Sequence, residues 1–159
     1  MFKFSLFSSS LTIGENAPEF SLKDQSGKIR RLSDYKGKKL VIYFFPKAFT
    51  PGWTLQVRSY REAYEEFQEV PASIIGVSTD GGWLQERFHS ACGLPYPLIG
   101  EGGKDVVQDY GLKTAFLGSA KRRTVVIDCD GVVRAIFKGK RSMDPRPALE
   151  LGTFGEIAN

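Results

Sequence analysis

Chemistry in this chain has to come from a small set of side chains, and the sulfur atoms are the first to weigh. The two cysteines, Cys92 and Cys129, form no C-x-x-C pair and no metal-ligand spacing with the lone histidine, His89. A reactive thiolate needs an electropositive setting that lowers its pKa, and nothing local marks either cysteine in that way. Cys92 reads as a small buried side chain. Cys129, in the turn Asp128-Cys129-Asp130-Gly131, reads as an incidental exposed thiol. His89 lies on a helix near Glu86 with nothing to pair it as a catalytic base, so it reads as a surface residue. Unpaired cysteines point by default to a reducing, cytoplasmic setting. Thr50-Pro51 can open a helix, with Thr50 as the N-cap and Pro51 at the first helical position. Trp53 then falls in the first turn. Its indole offers an N–H donor, no acceptor and no ionisable nucleophile. It either packs inward or presents an aromatic surface to a partner, where tryptophan is enriched. Arg122 on its own is an ordinary surface or ion-paired arginine, and strand alternation sends its neighbour Arg123 to the opposite face.

The elements that must position these residues follow from the hydrophobic pattern. Ala17 to Leu22, then Asp24-Gln25-Ser26-Gly27-Lys28, predicts a strand and a glycine-containing hairpin turn. Ser33-Asp34-Tyr35 before Lys36-Gly37 predicts one helical turn ending at glycine. Leu40 to Phe45 is continuously apolar, as a central strand covered on both faces requires. A helix is predicted from Thr50 to Val70, with Leu55, Tyr60, Tyr64 and Phe67 on its apolar face. Ser73 to Ser78 is a second buried strand, Gly82 to Ala91 a second helix, and Gly102 to Tyr110 a short third. Thr124 to Asp128 and Val132 to Phe137 flank an Asp-Gly turn, which predicts a hairpin. A short helix after Pro147 is weakened by Gly152 and Gly155. Strand, helix, strand, helix, hairpin and closing helix make an α/β layer fold.

Composition sets the outer bounds. The chain has 159 residues, 42% hydrophobic and 25% charged, which suits one soluble domain with a core of its own. Residues 13–159 read as that domain, after a flexible or loosely docked N-terminus over residues 1–12. The start, Met1 to Phe7 followed by three serines, is a poor targeting peptide, with one Lys and no clear cleavage site. The longest apolar run, Leu40 to Phe45, is too short for a bilayer core of ~30 Å. The net charge of +4 comes from local runs at Lys36-Gly37-Lys38-Lys39, Lys121-Arg122-Arg123 and Lys138-Gly139-Lys140-Arg141. They look scattered and solvated, so no nucleic-acid partner is expected.

Read in order, "APEFSLKDQSGKIRRLSDYKGKKLVIYFFPKAFTPGWT", "IIGVSTD", "GLPYPL", "YGLK" and "RRTVVIDCDGVVR" resemble the successive blocks of the Q-type, or bacterioferritin-comigratory, peroxiredoxins. The resemblance runs from Ile13 to Phe137, and an ordered series of motifs is more specific than any one of them. It implies a thioredoxin-like fold, with a mixed central sheet flanked by helices and an N-terminal hairpin extension. It also implies thiol-based reduction of hydrogen peroxide and organic hydroperoxides, with thioredoxin as electron donor and no cofactor or metal.

The family motif is Pro-x-x-x-Thr-x-x-Cys. Here Pro46 and Thr50 stand in place, and Trp53 occupies the position of the peroxide-attacking cysteine. The position of the resolving cysteine found in many members is Arg58. Arg122 matches the arginine beside the catalytic sulfur. In that chemistry the helix start and the guanidinium stabilise a thiolate, which takes one peroxide oxygen as sulfenic acid while the other leaves as water. Trp53 cannot enter the cycle. The expected function is therefore a binding or regulatory homologue without peroxidase turnover, a monomer or weak dimer with thioredoxin or another protein as partner. The alternative is a peroxidase using Cys92 or Cys129, or an active member altered at position 53. A disulfide exchanger is weaker still, since it needs a paired or low-pKa cysteine.

Overall fold

The computed structural model describes residues 11–45, 51–78, 82–100, 103–112 and 121–153, with side chains omitted at 51–54, 82–85, 103–105 and 152–153. A hairpin of β1 (Ser21–Lys23) and β2 (Ile29–Arg31) stands apart from a five-stranded sheet. The sheet holds β3 (Lys39–Phe44), β4 (Ala72–Val77), β5 (Leu98–Ile99), β6 (Arg123–Ile127) and β7 (Val133–Lys138). Its order is β5-β4-β3-β6-β7. β3–β4 and β4–β5 run parallel, and β6 lies antiparallel to both β3 and β7.

The apolar run of β3 builds two cores at once. Side chains alternate across a strand, so Leu40, Ile42 and Phe44 enter one core and Val41 and Tyr43 the other, where Phe45 follows. The first core is closed by the hairpin (Phe20, Leu22) and by α4 (Gly103–Asp109) through Val106 and Val107. The second is closed by α1 (Pro51–Glu62), α2 (Tyr64–Glu69), α3 (Gly82–Cys92) and α6 (Arg146–Thr153). Each large side chain buried this way contributes about 1.5–3 kcal/mol. Gly76 makes the second core possible at its tightest point. A Cβ there would stand 2.8 Å from the Tyr43 ring and 2.6 Å from Leu98 Cδ2.

The single helix predicted from Thr50 to Val70 is two, broken at Ala63. The apolar face also differs from expectation. Leu55 is 57% exposed, whereas Gln56, Val57, Tyr60, Ala63 and Phe67 are buried. A one-turn α5 (Lys140–Met143), absent from the sequence reading, follows β7. Residues 1–10, within the segment expected to be loose, lie outside the described residues; Leu11 packs against the first core. Between Val126 and Ile127 the β6–β7 register shifts, leaving Arg134 as the extra residue of a bulge. No helix among the described residues is long and apolar enough to cross a membrane.

Both hairpin turns are tied by a buried or half-buried aspartate. Asp24 Oδ1 accepts from Ser26 N at 2.8 Å, Ser26 Oγ at 2.7 Å and Lys28 N at 3.1 Å, and Oδ2 accepts from Arg30 Nε at 2.8 Å. Burial pushes this carboxyl up, but the bonds from Ser26, Arg30 and Lys28 outweigh it and leave the pKa below the ordinary value. Asp128 repeats the arrangement with Arg134, Val132 and Asp130, and burial is again outweighed. A carboxyl lowered on folding contributes stability that is present above its unfolded pKa of about 3.9 and is lost as pH falls through the folded value. Urea midpoints should therefore drop below pH ~4, and Asp24→Asn should be less stable at neutral pH with a shallower acid dependence. An unchanged acid slope in that variant would remove Asp24 from this account.

Candidate functional site

The site is assembled at the head of α1, where the sheet delivers one cation. Trp53 is the third residue of α1, in the turn whose backbone N–H groups have no partners within the helix. Its side chain, and Pro46 and Thr50 entirely, lie outside the described residues. One turn on stands Gln56, fully buried. Its Oε1 accepts from Arg122 Nη1 at 2.6 Å, and its Nε2 donates to the Ser142 carbonyl at 3.1 Å. Both ends of the amide are used, which fixes its orientation. Arg122 immediately precedes β6, beyond the Phe44↔Arg123 register pair, and so sits at the C-terminal end of β3.

The Ser142 carbonyl is a convergence point. It accepts from Thr124 Oγ1 at 2.7 Å and lies 3.3 Å from the Tyr60 hydroxyl, which also lies 3.0 Å from Thr124 Oγ1. With the Thr124 proton on Ser142, Tyr60 donates to Thr124. Thus α1, β6 and α5 are clamped together beneath Arg122 by groups that are all buried. Burial pulls the Arg122 guanidinium below its usual pKa, yet a guanidinium remains charged in a protein. A fixed, half-buried cation within one turn of a helix start can hold an anion or polarise a bound oxygen.

Sequence reasoning missed Gln56 and Thr124. The available signal was Gln56 and Tyr60 at i and i+4, a polar pair on one helix face. Arg123 donates to the Arg122 carbonyl at 2.8 Å.

The other candidates do not join this site. Arg58 is exposed on α1. Cys92, at the end of α3, is half-buried. Burial pushes its thiol up, against weaker opposing pulls from Arg61 and Arg58. Cys129 is half-buried, not exposed as expected, because Gly37 N closes over its turn to bond the Cys129 carbonyl at 3.0 Å. It stands past the far end of β6, roughly 20 Å along the strand from Arg122. His89 is half-buried, in place of the surface position expected, and its Nε2–H donates to the Tyr96 carbonyl at 3.0 Å. Tyr43 and Tyr96 share a hydroxyl bond of 2.7 Å, with both phenols pushed up by burial and no role as bases. No group of His, Cys, Asp and Glu side chains among the described residues is arranged to hold a metal ion. Iodoacetamide should label Cys92 at pH 7 more slowly than a free cysteine peptide, and faster as pH rises. Faster labelling than the peptide, by mass spectrometry, would contradict the raised pKa.

A family profile described as the AhpC/TSA family matches residues 13–136. The chain belongs to the AhpC/TSA family. It is 39% identical over 128 residues to "Peroxiredoxin Q, chloroplastic" of Suaeda salsa, covering 80% of this chain and 60% of that one. It is 35% identical over 139 residues to the protein of the same name from Sedum lineare, covering 87% and 74%. The chain thus spans about three fifths of the Suaeda protein's length. Among solved structures, peroxidoxin BcpB of Mycobacterium tuberculosis superposes with a TM-score of 0.82 at 35% identity, covering 94% of this chain and 99% of that one. A PrxQ mutant of Xylella fastidiosa gives 0.84 at 22% identity, covering 93% and 99%, which speaks for the fold alone. This AhpC/TSA member has the thioredoxin-like fold, with its mixed sheet, flanking helices and N-terminal hairpin.

Proposed function

We propose that this chain is a peroxiredoxin Q-type protein that keeps the scaffold of a thiol peroxidase and does not turn over peroxide, serving as a binding or regulatory homologue. The observation that carries the reading is the residue at position 53, in the first turn of α1 and one turn from the Gln56–Arg122 pair, which is tryptophan. Peroxide reduction here requires an ionised sulfur at that point, and an indole has no nucleophile to offer. Arg58, at the resolving position, has none either. Neither remaining thiol is well set to replace it: Cys92 is pushed up by burial, and Cys129 lies at the far end of β6 from Arg122. Pro46, Thr50 and Arg122 are proposed to retain their places around the vacated thiol. A protein partner, thioredoxin among the candidates, takes the place of a turned-over substrate.

Residues 13–159 form the proposed domain. Two unpaired thiols favour a reducing compartment, the cytoplasm by default, while the names of the plant relatives make a plastid the competing address. The test is direct. Supplied with thioredoxin and its reductant, the purified protein should consume hydrogen peroxide no faster than a heat-inactivated control. Turnover abolished by Cys92→Ser or Cys129→Ser would reverse the reading.

A further inference from the structure

Two of the basic runs, Lys121-Arg122-Arg123 and Lys138-Gly139-Lys140-Arg141, are distant in sequence and look solvated and unrelated. The β6–β7 pairing brings them to one end of the sheet, with Arg123 directly opposite Lys138 in register. Like charges directly opposite on antiparallel strands destabilise the pair. Gly139, at φ 56° and ψ −131°, then turns the chain sharply into α5, a backbone conformation that glycine tolerates and other residues resist. The turn brings Arg141 back over the Phe137 ring, 5.3 Å from its centroid.

Among the described residues no carboxylate forms an ion pair with this cluster. The ion pairs among the described residues are Arg30–Asp24, Arg134–Asp128 and Arg146–Glu66, and none involves the six cations. These six exceed the chain's whole net charge of +4, so the remainder of the protein is slightly acidic. Six of the chain's 22 basic residues thus meet at one end of the sheet, at a cost in strand pairing.

We propose that this end of the β6–β7 ribbon, together with α5, is a docking surface for an acidic face of a partner protein. Charge complementarity sets the sign of the partner, and such complementarity acts mainly on specificity and association rate. A second copy of this chain docking through the same surface would present the same sign and be repelled. A single-stranded nucleic acid would want open rings for stacking, and Phe137, the described aromatic at the patch, is already capped by Arg141. Helix α1 backs this surface, since α5 packs on it through Gln56 and Ser142. The surface deepens the proposed binding role, yet it stands whether or not position 53 supports turnover, because the variants below leave the head of α1 untouched.

The experiment titrates the full chain with a short fluorescent poly-glutamate peptide at ~50 mM and ~500 mM salt. Binding is expected at low salt, weakened ~10-fold or more at high salt. The variant Lys121→Gln/Lys138→Gln/Lys140→Gln/Arg141→Gln should lose ~10-fold in affinity. The variant Lys23→Gln/Lys28→Gln/Lys36→Gln/Lys38→Gln removes the same charge elsewhere and should retain binding. If the first variant does not fold, Lys140→Gln/Arg141→Gln, at two exposed positions, replaces it with a smaller loss expected. Equal losses in the patch and control variants, or no binding at low salt, would overturn the proposal. Tighter binding of an oligothymidylate of equal charge, or of phosphatidylserine vesicles, would overturn it in favour of those partners.

Discussion

Trp53→Cys is expected to raise thiol-dependent consumption of hydrogen peroxide at least ~10²-fold above the unmodified chain, which should show only background. The magnitude rests on what surrounds position 53. The first turn of α1 supplies backbone N–H groups with no helical partners, and these with the helix dipole lower the pKa of a thiol placed there. Arg122 is held one turn away by Gln56, whose amide is itself anchored on the Ser142 carbonyl. That anchoring means the guanidinium is in place before a thiol exists to need it, so one substitution should restore function without a second to reposition the cation. Adding Gln56→Leu to Trp53→Cys should lower the regained rate and raise the thiol pKa together, a coupling that simple loss of stability would not produce. A folded Trp53→Cys protein whose new thiol titrates near 8.5 and reduces no peroxide would show that Arg122 does not address position 53.

Gly76→Ala is expected to destabilise the protein by about 3 kcal/mol and lower its Tm by about 9 °C, although the change adds a single methyl group. The new carbon would stand 2.6 Å from Leu98 Cδ2 and 2.8 Å from both Cζ and the hydroxyl of Tyr43. None of these neighbours can yield cheaply. Tyr43 is fully buried, stacks on Tyr60 with ring centroids 4.8 Å apart, and is tied through its hydroxyl to Tyr96 at 2.7 Å. Leu98 is fully buried too, on a two-residue strand paired with Gly76 itself. The adjustment would have to run through the second core toward Tyr60 and its bond to Thr124. Thermal unfolding of the two proteins decides it, and a Tm within about 2 °C of the parent would show that this core is looser than its contacts imply.

The parts of the architecture that could be read in advance are those where one local signal decides. Leu40 to Phe45 had to be a central strand because no other placement hides six consecutive apolar residues on two faces. Asp24 and Asp128 open glycine-containing turns in which the aspartate bonds the backbone ahead of it, so both hairpins followed from short-range chemistry. The misses share a different cause. Leu55 fits an apolar stripe on spacing, yet the buried face is rotated toward Gln56 because Arg122 and Ser142 offer that amide two partners. Nothing in the composition of Lys140-Arg141-Ser142-Met143 predicts a helical turn; it is held by Gln56 and Thr124 donating to one carbonyl, with Tyr60 behind Thr124. The meeting of the two basic runs depends on β6–β7 register, a long-range quantity that composition does not contain. At the site, the sequence named Arg122 through a family likeness, while the residue that fixes it is visible only once α1 and β6 are packed.

The margins of the sheet bear on how the protein behaves in a crowded solution. One margin ends in β5, only two residues long, with Pro95 and Pro97 just before it and Pro71 just before β4. Proline has no amide hydrogen to offer a newcomer. The other margin, β7, carries the Arg134 bulge and is already bonded at Val133 by Gly14 and Glu15. Short, kinked or covered borders are how β-proteins avoid recruiting stray strands. A sheet bordered in this way is protected against fibrillar growth.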